Sequence, residues 1–180
     1  MEIGLLIIRL VVGGLMFGHG TQKLFGWFGG HGVAGTKGFF ASLGYPAAGA
    51  LAVVAGLAEA GGGLLLATGL LTPLGAAAVA GVLLNAIVTA HWPKVWNTEG
   101  GLELPLALSA SAIGVAFIGA GRFSIDAALG WQLQGTTWGL IALALAVGAG
   151  AVTLILRAAA RPEAEAEAEP EPTVDERLAA

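Results

Sequence analysis

Five apolar segments, each about 17–25 residues long, constrain the fold of this chain more than any other feature. They cover residues 3–24, 47–71, 74–91, 104–120 and 137–156. A helix rises about 1.5 Å per residue, so each segment can cross roughly 30 Å of hydrocarbon. Only 11% of the residues are charged, whereas a soluble domain carries about 25%. The pattern predicts an all-α fold, a polytopic transmembrane helical bundle whose partner is the lipid bilayer, rather than a water-soluble globule.

Composition excludes several kinds of site. The chain contains no cysteine, so its own residues cannot form a disulfide, a thiol redox centre or an iron–sulfur site. Residues 161–180 hold seven acidic side chains against two arginines, while residues 1–160 are close to neutral. The body of the chain lacks a basic patch, so nucleic acid is not an expected partner. The acidic tail has no apolar face to bury, which predicts disorder over residues 161–180.

The first apolar segment carries a stripe of cationic side chains. Arg9, Met16 and Lys23 fall within about 40° of one line on a helix that turns 100° per residue. His19 lies one row over on the same side. A charge in the membrane interior is costly unless it is paired or functional. We therefore expect this stripe to face other helices, which supply its partners.

Depth along the segments predicts one polar layer inside the membrane. Glu59 lies near the middle of the second segment, and Asn85 lies eleven residues after the start of the third. The long side chain of Arg9 can reach inward from its own end of the bundle. Arg9, Glu59 and Asn85 are therefore expected to meet, with an Arg–Glu pair at the centre. A functional site and an ion pair that only fixes helix register both remain open.

A second polar layer is expected at the opposite membrane face. The five side chains that end there are His19, Lys23, His91, Lys94 and Glu103. They would surround a pocket open to the headgroups, or they are ordinary interfacial charges. His19 and His91 are the one histidine pair at matching depth for haem, but Lys23 and Glu103 would crowd a porphyrin. No metal site and no catalytic residue are assigned, because phosphate-binding, Ser–His–Asp and HExxH motifs are absent from the sequence.

Small residues at regular spacing predict close packing between helices. Gly14 and Gly18 form a GxxxG pair in the first segment. The second segment has a four-residue repeat of small side chains: Ala48, Ala52, Gly56 and Ala60. Lysines and arginines near the segments favour an N-terminus outside and a C-terminal tail in the cytoplasm.

Four stretches of the sequence resemble the DoxX family of small bacterial and archaeal membrane proteins. They are LLIIRLVVGGLMFGHGTQKLFGWFGG, KGFFASLGYP, AGLAEAGGGLLLATGLLTPLGA and GAGRFSIDAALG, and the resemblance covers about residues 3–130. It implies a four-helix membrane domain over 1–130 in the bacterial plasma membrane. Residues 131–160 would then add a fifth transmembrane helix, and residues 161–180 a disordered acidic tail.

The family resemblance also implies which polar positions matter. Four of them are Arg9, His19, Lys23 and Glu59. The others form a turn with Gly121, Arg122, Ser124 and Asp126. In that turn Ser124 can cap the segment that follows, and Asp126 can pair with Arg122 if the segment is helical. A structural role is expected for this turn.

The same resemblance implies a connection to redox chemistry. The family name comes from a membrane component of a thiosulfate:quinone oxidoreductase, and other members are associated with oxidoreductase complexes. The expected function is therefore a membrane component of a redox or stress-related complex, with protein partners or as a homo-oligomer. A quinone-linked oxidoreductase subunit with a quinone in the polar pocket is the alternative. A small-solute transporter or binder is the third, and whether the chain itself catalyses a reaction stays open.

Overall fold

The computed structural model describes residues 2–168, and it describes side chains for residues 2–160. Every regular element within this range is helical. The α-helices are α1 (Glu2–Phe25), α2 (Gly32–Ser42), α3 (Ala48–Thr68), α4 (Thr72–Ala86), α5 (Glu103–Ile118), α6 (Ile125–Ala128) and α7 (Thr136–Ala168). A π-helical turn, Ile87–His91, continues α4, and 3₁₀ turns lie at Trp27–Gly29 and Asn97–Glu99.

Four of the helices are long and apolar enough to cross a membrane. They cover Glu2–Phe25, Ala48–Thr68, Thr72–His91 and Thr136–Ala160. The fourth predicted segment folds as α5, which has only 16 residues and is therefore about 24 Å long. The helix stops after Ile118 because the next residue, Gly119, has a φ of 98°, outside the helical region. The prediction of a helical membrane bundle is confirmed. A membrane span at the fourth predicted segment, and with it a total of five spans, stays a prediction.

The long helices run alternately up and down, with α4 near the centre. α4 packs against α3, α5 and α7, and α1 packs along α3. The N-terminal face of the bundle contains the start of α1, the end of α3 and the α5–α7 connection. The opposite face contains α2 and the loop between α4 and α5. The buried core joins α1, α3, α4, α5 and α7 through Val12, Met16, Leu66, Ala76, Ala77, Val79, Leu83, Leu108, Ala112, Val115, Ala116 and Ala142.

α1 and α3 approach so closely that glycine is required at their contact. A Cβ atom added to Gly13 would lie 2.5 Å from the carbonyl oxygen of Gly63, and one added to Gly20 would lie 2.5 Å from that of Gly56. The small-residue repeat of the second segment is thus confirmed at Gly56. The GxxxG prediction is wrong, because a Cβ at Gly14 or at Gly18 would meet nothing within 4 Å.

The outer surface of the bundle is apolar. Ile3 of α1 is 67% exposed, and Ile155 of α7 is 66% exposed. In water such a surface would be unstable, but it suits contact with lipid tails. Residues 161–168, where disorder was predicted, continue α7 as helix. Residues 169–180, the rest of the acidic tail, lie outside the described residues, so disorder there stays a prediction. The division into domains at residues 130 and 160 also stays a prediction.

Candidate functional site

A cavity of about 570 Å³ lies between α2, α3, α4, α5 and α7, beside the end of α1. Most of its lining is apolar, with aromatic rings from Phe39 and Phe40. Five of the residues singled out in the sequence also line it: His19, Lys23, Glu59, Asn85 and His91. The packing of the helices thus brings polar groups of α1, α3 and α4 to one apolar space. Their participation in ligand binding stays a prediction.

Lys23 and Glu59 form an ion pair in the wall of this cavity. Lys23 Nζ lies 2.5 Å from Glu59 Oε2. The Glu59 side chain is only 4% exposed, whereas that of Lys23 is 25% exposed. Gly20 places α1 against α3 within one turn of this pair, so the short helix separation allows the lysine to reach the carboxylate. The carboxylate and the ammonium therefore neutralise each other at the edge of an apolar space.

Asn85 is the centre of a second polar cluster in the same cavity. Its Oδ1 accepts hydrogen bonds from the hydroxyl of Tyr45 at 2.9 Å and from that of Thr153 at 2.8 Å. The Tyr45 hydroxyl also lies 3.4 Å from that of Thr89. These contacts join α4 to α7 and to the turn after α2. The guanidinium of Arg157 reinforces that turn, because its Nε donates to the carbonyl of Leu43 at 2.6 Å.

The two cavity histidines are each oriented by a local acceptor. Nδ1 of His91 lies 2.8 Å from the carbonyl oxygen of Gly100, and Nδ1 of His19 lies 3.1 Å from Oε1 of Gln22. His91 belongs to the π-helical turn, which breaks the α-helical register of α4 beside the cavity. Such turns are frequent at functional sites. Within residues 2–160, no three His, Cys, Asp or Glu side chains are placed to hold a metal ion.

Arg9 belongs to a different site, and the predicted Arg9–Glu59 pair is wrong. Its side chain is 1% exposed and donates to carbonyl oxygens of the α3 end and of the loop after α5. The acceptors are Leu66 at 3.1 Å, Ala67 at 3.1 Å, Phe123 at 3.0 Å and Ala120. Carbonyl groups at a helix C-terminus have no partner within the helix and carry partial negative charge. These carbonyls hold the guanidinium. Glu59 lies earlier in α3, where it pairs with Lys23.

The turn over residues 121–126 lies at the same end of the bundle as Arg9 and connects the starts of α1 and α4. Oγ of Ser124 accepts from the amide of Ala127 at 3.1 Å, so the predicted cap of α6 is confirmed. Asp126 is 3% exposed and accepts from the amide of Leu71 at 2.8 Å and from the amide and hydroxyl of Thr72 at 3.1 and 2.7 Å. The carboxylate therefore caps the N-terminus of α4.

Arg122 does not pair with Asp126, and that prediction is wrong. The Arg122 guanidinium is exposed and lies 4.9 Å from the centre of the Phe123 ring. Its backbone amide donates to Glu2 at 2.6 Å. Gly121, with φ of 75°, permits the turn that brings this amide to α1. The acid of this turn binds the start of α4, and a purely structural role for the turn stays a prediction.

Glu103 and Lys94 do not line the cavity. Oε1 of Glu103 accepts from the backbone amide of Asn97 at 2.7 Å, so this acid stabilises the loop between α4 and α5. Lys94 is exposed on the same loop. The predicted pocket of five side chains at this face is therefore reduced to three, His19, Lys23 and His91. The loop between α4 and α5 folds back on itself, since the amide of Leu102 donates to the carbonyl of Lys94 at 3.0 Å. Lys94 lies on this loop and Glu103 at the start of α5, both outside the cavity lining.

Sequence reasoning missed three hydroxyl groups of the cavity. Tyr45 lies between two of the apolar segments and was not singled out as a cavity residue, but it is buried and bound to Asn85. Thr89 and Thr153 were not singled out at all. Thr153 is a hydroxyl residue within the long apolar run of α7, and that polarity was a usable signal. Thr89 follows Asn85 by one helical turn and was detectable by the same spacing.

Comparison with known proteins agrees with this architecture. The DoxX family model matches residues 4–92. A protein of Bacillus subtilis (strain 168) named "Putative oxidoreductase CatD" is 31% identical over 125 residues, which cover 69% of this chain and 86% of that relative. No solved structure matches the chain significantly. The chain is a helical membrane protein and belongs to the DoxX family.

Proposed function

We propose that this protein is a membrane component of a redox or stress-related system and that its cavity binds a quinone-type molecule drawn from the bilayer. The observation that supports this function best is the convergence of Lys23, Glu59 and Asn85 on one apolar cavity. A quinone has a flat ring with two oxygens and an apolar body. Ligand sites typically combine apolar walls with a few oriented polar groups.

The chemistry of the cavity suits such a headgroup. Phe39 and Phe40 offer aromatic surface to a ring, and Glu59 and His19 are groups that exchange protons. The name of the Bacillus relative, an oxidoreductase, favours a redox setting over solute transport.

Direct binding tests the cavity. The purified protein in detergent is titrated with a menaquinone that carries one prenyl unit, and an empty-micelle titration is subtracted. Ala58→Phe fills the cavity from α3, and Val82→Phe fills it from α4. Ala41→Phe lies on the exposed side of α2 and is the matched control. We expect saturable binding, weakened at least tenfold by either filling variant and unchanged by the control.

Two results would contradict quinone binding in this cavity. One is no uptake beyond the micelle blank, and the other is an affinity in both filling variants equal to that of the wild-type protein. Melting temperatures of all variants identify those that have lost their fold. The place in a redox system is tested separately, by mild-detergent isolation of the chain from its native membrane. Recovery of the chain alone counts against a shared complex, and a co-isolated oxidoreductase subunit supports it.

A further inference from the structure

Hydrogen-bond accounting in the cavity points to the oxidation state of the ligand. Each polar group has a fixed number of protons to donate and lone pairs to accept with. Protons already donated within the protein are unavailable to a ligand. The capacity that is left over therefore describes the complementary ligand. This step rests on the proposed function, because it concerns the same cavity.

The protons of the Asn85 cluster are already used. The hydroxyl proton of Tyr45 goes to Asn85 Oδ1, and that of Thr89 goes to the Asn85 carbonyl at 2.8 Å. The hydroxyl proton of Thr153 goes to Asn85 Oδ1 at 2.8 Å or to the carbonyl of Gly150 at 2.9 Å, so it too is used within the protein. The two amide protons of Asn85 go to the carbonyls of Gly81 at 3.1 Å and Gly150 at 3.4 Å. What this cluster still offers a ligand is oxygen lone pairs.

The histidines offer acceptors for the same reason. The Gly100 carbonyl can only accept, so Nδ1 of His91 is the donor and Nε2 of the neutral ring carries a lone pair. The side-chain amide nitrogen of Gln22 donates to the carbonyl of Phe28 at 3.2 Å, so the Gln22 side-chain oxygen faces His19. Nδ1 of His19 is then also the donor, and its Nε2 is an acceptor.

Glu59 adds an anionic acceptor. Its Oε2 receives Lys23, while no group of residues 2–160 donates to Oε1. The side chain is nevertheless nearly buried and lines the cavity. Lys23 has two further protons, and the side-chain amide of Asn97, an exposed residue on the loop between α4 and α5, makes no hydrogen bond within residues 2–160. These are the two cavity side chains in the described part of the chain with donors to spare. Acceptors therefore outnumber free donors around this space.

We propose that the cavity binds the dihydroxy form of its aromatic ligand, a hydroquinone, in preference to the quinone. A hydroquinone has two O–H donors that match Glu59 Oε1 and a histidine Nε2. A quinone has two carbonyl oxygens, which only accept, and the free donors around the cavity are Lys23 and the exposed amide of Asn97. Binding the reduced form more tightly raises the midpoint potential of the bound couple, by about 30 mV for each tenfold of preference in a two-electron couple.

Three ring-matched probes test the preference in the wild-type protein. They are durohydroquinone, duroquinone and the dimethyl ether of durohydroquinone, measured anaerobically by calorimetry in detergent against empty micelles. Their fully methylated rings resist addition of lysine. The ether keeps both oxygens but has no O–H proton. We expect the hydroquinone to bind at least about tenfold more tightly than either other probe, as a charged acceptor contributes strongly to a hydrogen bond.

Two variants test which acceptors are responsible. Glu59→Gln replaces a carboxylate oxygen with a donor-bearing amide, and His91→Leu removes the Nε2 lone pair. Each is expected to reduce the hydroquinone preference at least threefold, while duroquinone affinity changes little. Glu99→Gln and His31→Leu make the same changes at exposed positions outside the cavity and should leave the preference intact.

Equal affinity for hydroquinone and quinone, or hydroquinone affinity no higher than that of the ether, would overturn the preference while quinone binding stands. A preference that survives both Glu59→Gln and His91→Leu would also overturn it, since the acceptors named here would then not cause it. If none of the three probes binds but the prenylated menaquinone does, the preference fails alone. If the menaquinone also fails to bind, the proposed function fails with it.

Discussion

Lys23 Nζ lies 2.5 Å from Glu59 Oε2, and this ion pair joins α1 to α3 at the wall of the cavity. The two residues are separated by 36 positions in the chain. The pair places a cationic donor beside a nearly buried carboxyl group. It also leaves the second oxygen of Glu59 available to the cavity. One contact thus serves both the packing of two helices and the polarity of the site.

Replacing Lys23 alone should lower the free energy of unfolding more than replacing both Lys23 and Glu59. Lys23→Met leaves the Glu59 carboxylate without a counter-charge, and we expect a loss of about 2 kcal/mol in the free energy of unfolding. This is below the 3–5 kcal/mol typical of fully buried pairs, because Lys23 is partly exposed. The double variant Lys23→Met/Glu59→Gln should recover at least half of the loss. Denaturant unfolding in detergent measures it, with exposed Lys94→Met as control.

Arg9 should be irreplaceable even by lysine. Its Nε and both terminal nitrogens donate to four carbonyl oxygens, a planar arrangement that an ammonium cannot reproduce. We expect Arg9→Lys to lower the free energy of unfolding by about 2–3 kcal/mol, since buried carbonyls lose their donors. The matched change Arg122→Lys affects an exposed guanidinium and should stay within about 0.5 kcal/mol. Similar losses in the two variants would refute this role for Arg9.

Two neighbouring glycines of α1 should respond in opposite ways. Gly13→Ala puts a methyl group against the Gly63 carbonyl and must push α1 from α3, at a cost of about 1–3 kcal/mol. Gly14→Ala adds the same methyl group where nothing lies within 4 Å, so it should be neutral or slightly stabilising. Thermal unfolding of both variants under one set of conditions makes the comparison. Equal effects would contradict the close approach of the two helices.

Asp126→Asn should loosen the start of α4. The asparagine amide has only one oxygen, so the backbone N–H of either Leu71 or Thr72 faces the amide nitrogen and loses its acceptor. We expect this to cost about 1–2 kcal/mol in the free energy of unfolding. Hydrogen–deuterium exchange should accelerate in a peptide over residues 69–74 and remain unchanged in α1. Glu99→Gln, at an exposed acid, is the control. Unchanged exchange at residues 69–74 would show that Asp126 does not cap this helix.

Membrane orientation can be tested with single cysteines, since the natural chain has none. We expect the N-terminus outside the bacterial plasma membrane. Ser42→Cys then faces the cytoplasm, and Gln132→Cys, at the opposite end of the bundle, faces outward. Both positions are exposed. A membrane-impermeant maleimide applied to intact cells should label Gln132→Cys alone, and both after permeabilisation. Labelling of Ser42→Cys alone in intact cells would reverse the orientation.

The helical bundle was predictable because its signal is local. An apolar run of sufficient length must become a helix in lipid, where each backbone group needs a hydrogen bond within its own segment. The stripe of Arg9, Met16 and Lys23 was equally readable, since helical periodicity fixes which side chains share a face. The structure confirms that this stripe faces inward, with Arg9 and Met16 buried and Lys23 paired.

The partners along that stripe were not predictable in the same way. A count of residues gives the approximate depth of a group within its own segment but not how far one helix is shifted along the next. The choice of Lys23 over Arg9 depends on how far α1 slides along α3, which Gly13 and Gly20 determine. The GxxxG pair at Gly14 was wrong for a related reason, because one residue along the helix is a rotation of about 100°.

By itself, the sequence determined the class of protein, the helical segments, the inward face of α1 and five of the polar residues that line the cavity. Tertiary structure alone decided which groups meet: Lys23 with Glu59, Tyr45 with Asn85, and Arg9 with carbonyls of the α3 end and of the loop after α5. Hydropathy and periodicity act within one segment. A hydrogen bond between distant segments depends on the tilt and shift of whole helices, which only their packed contacts define.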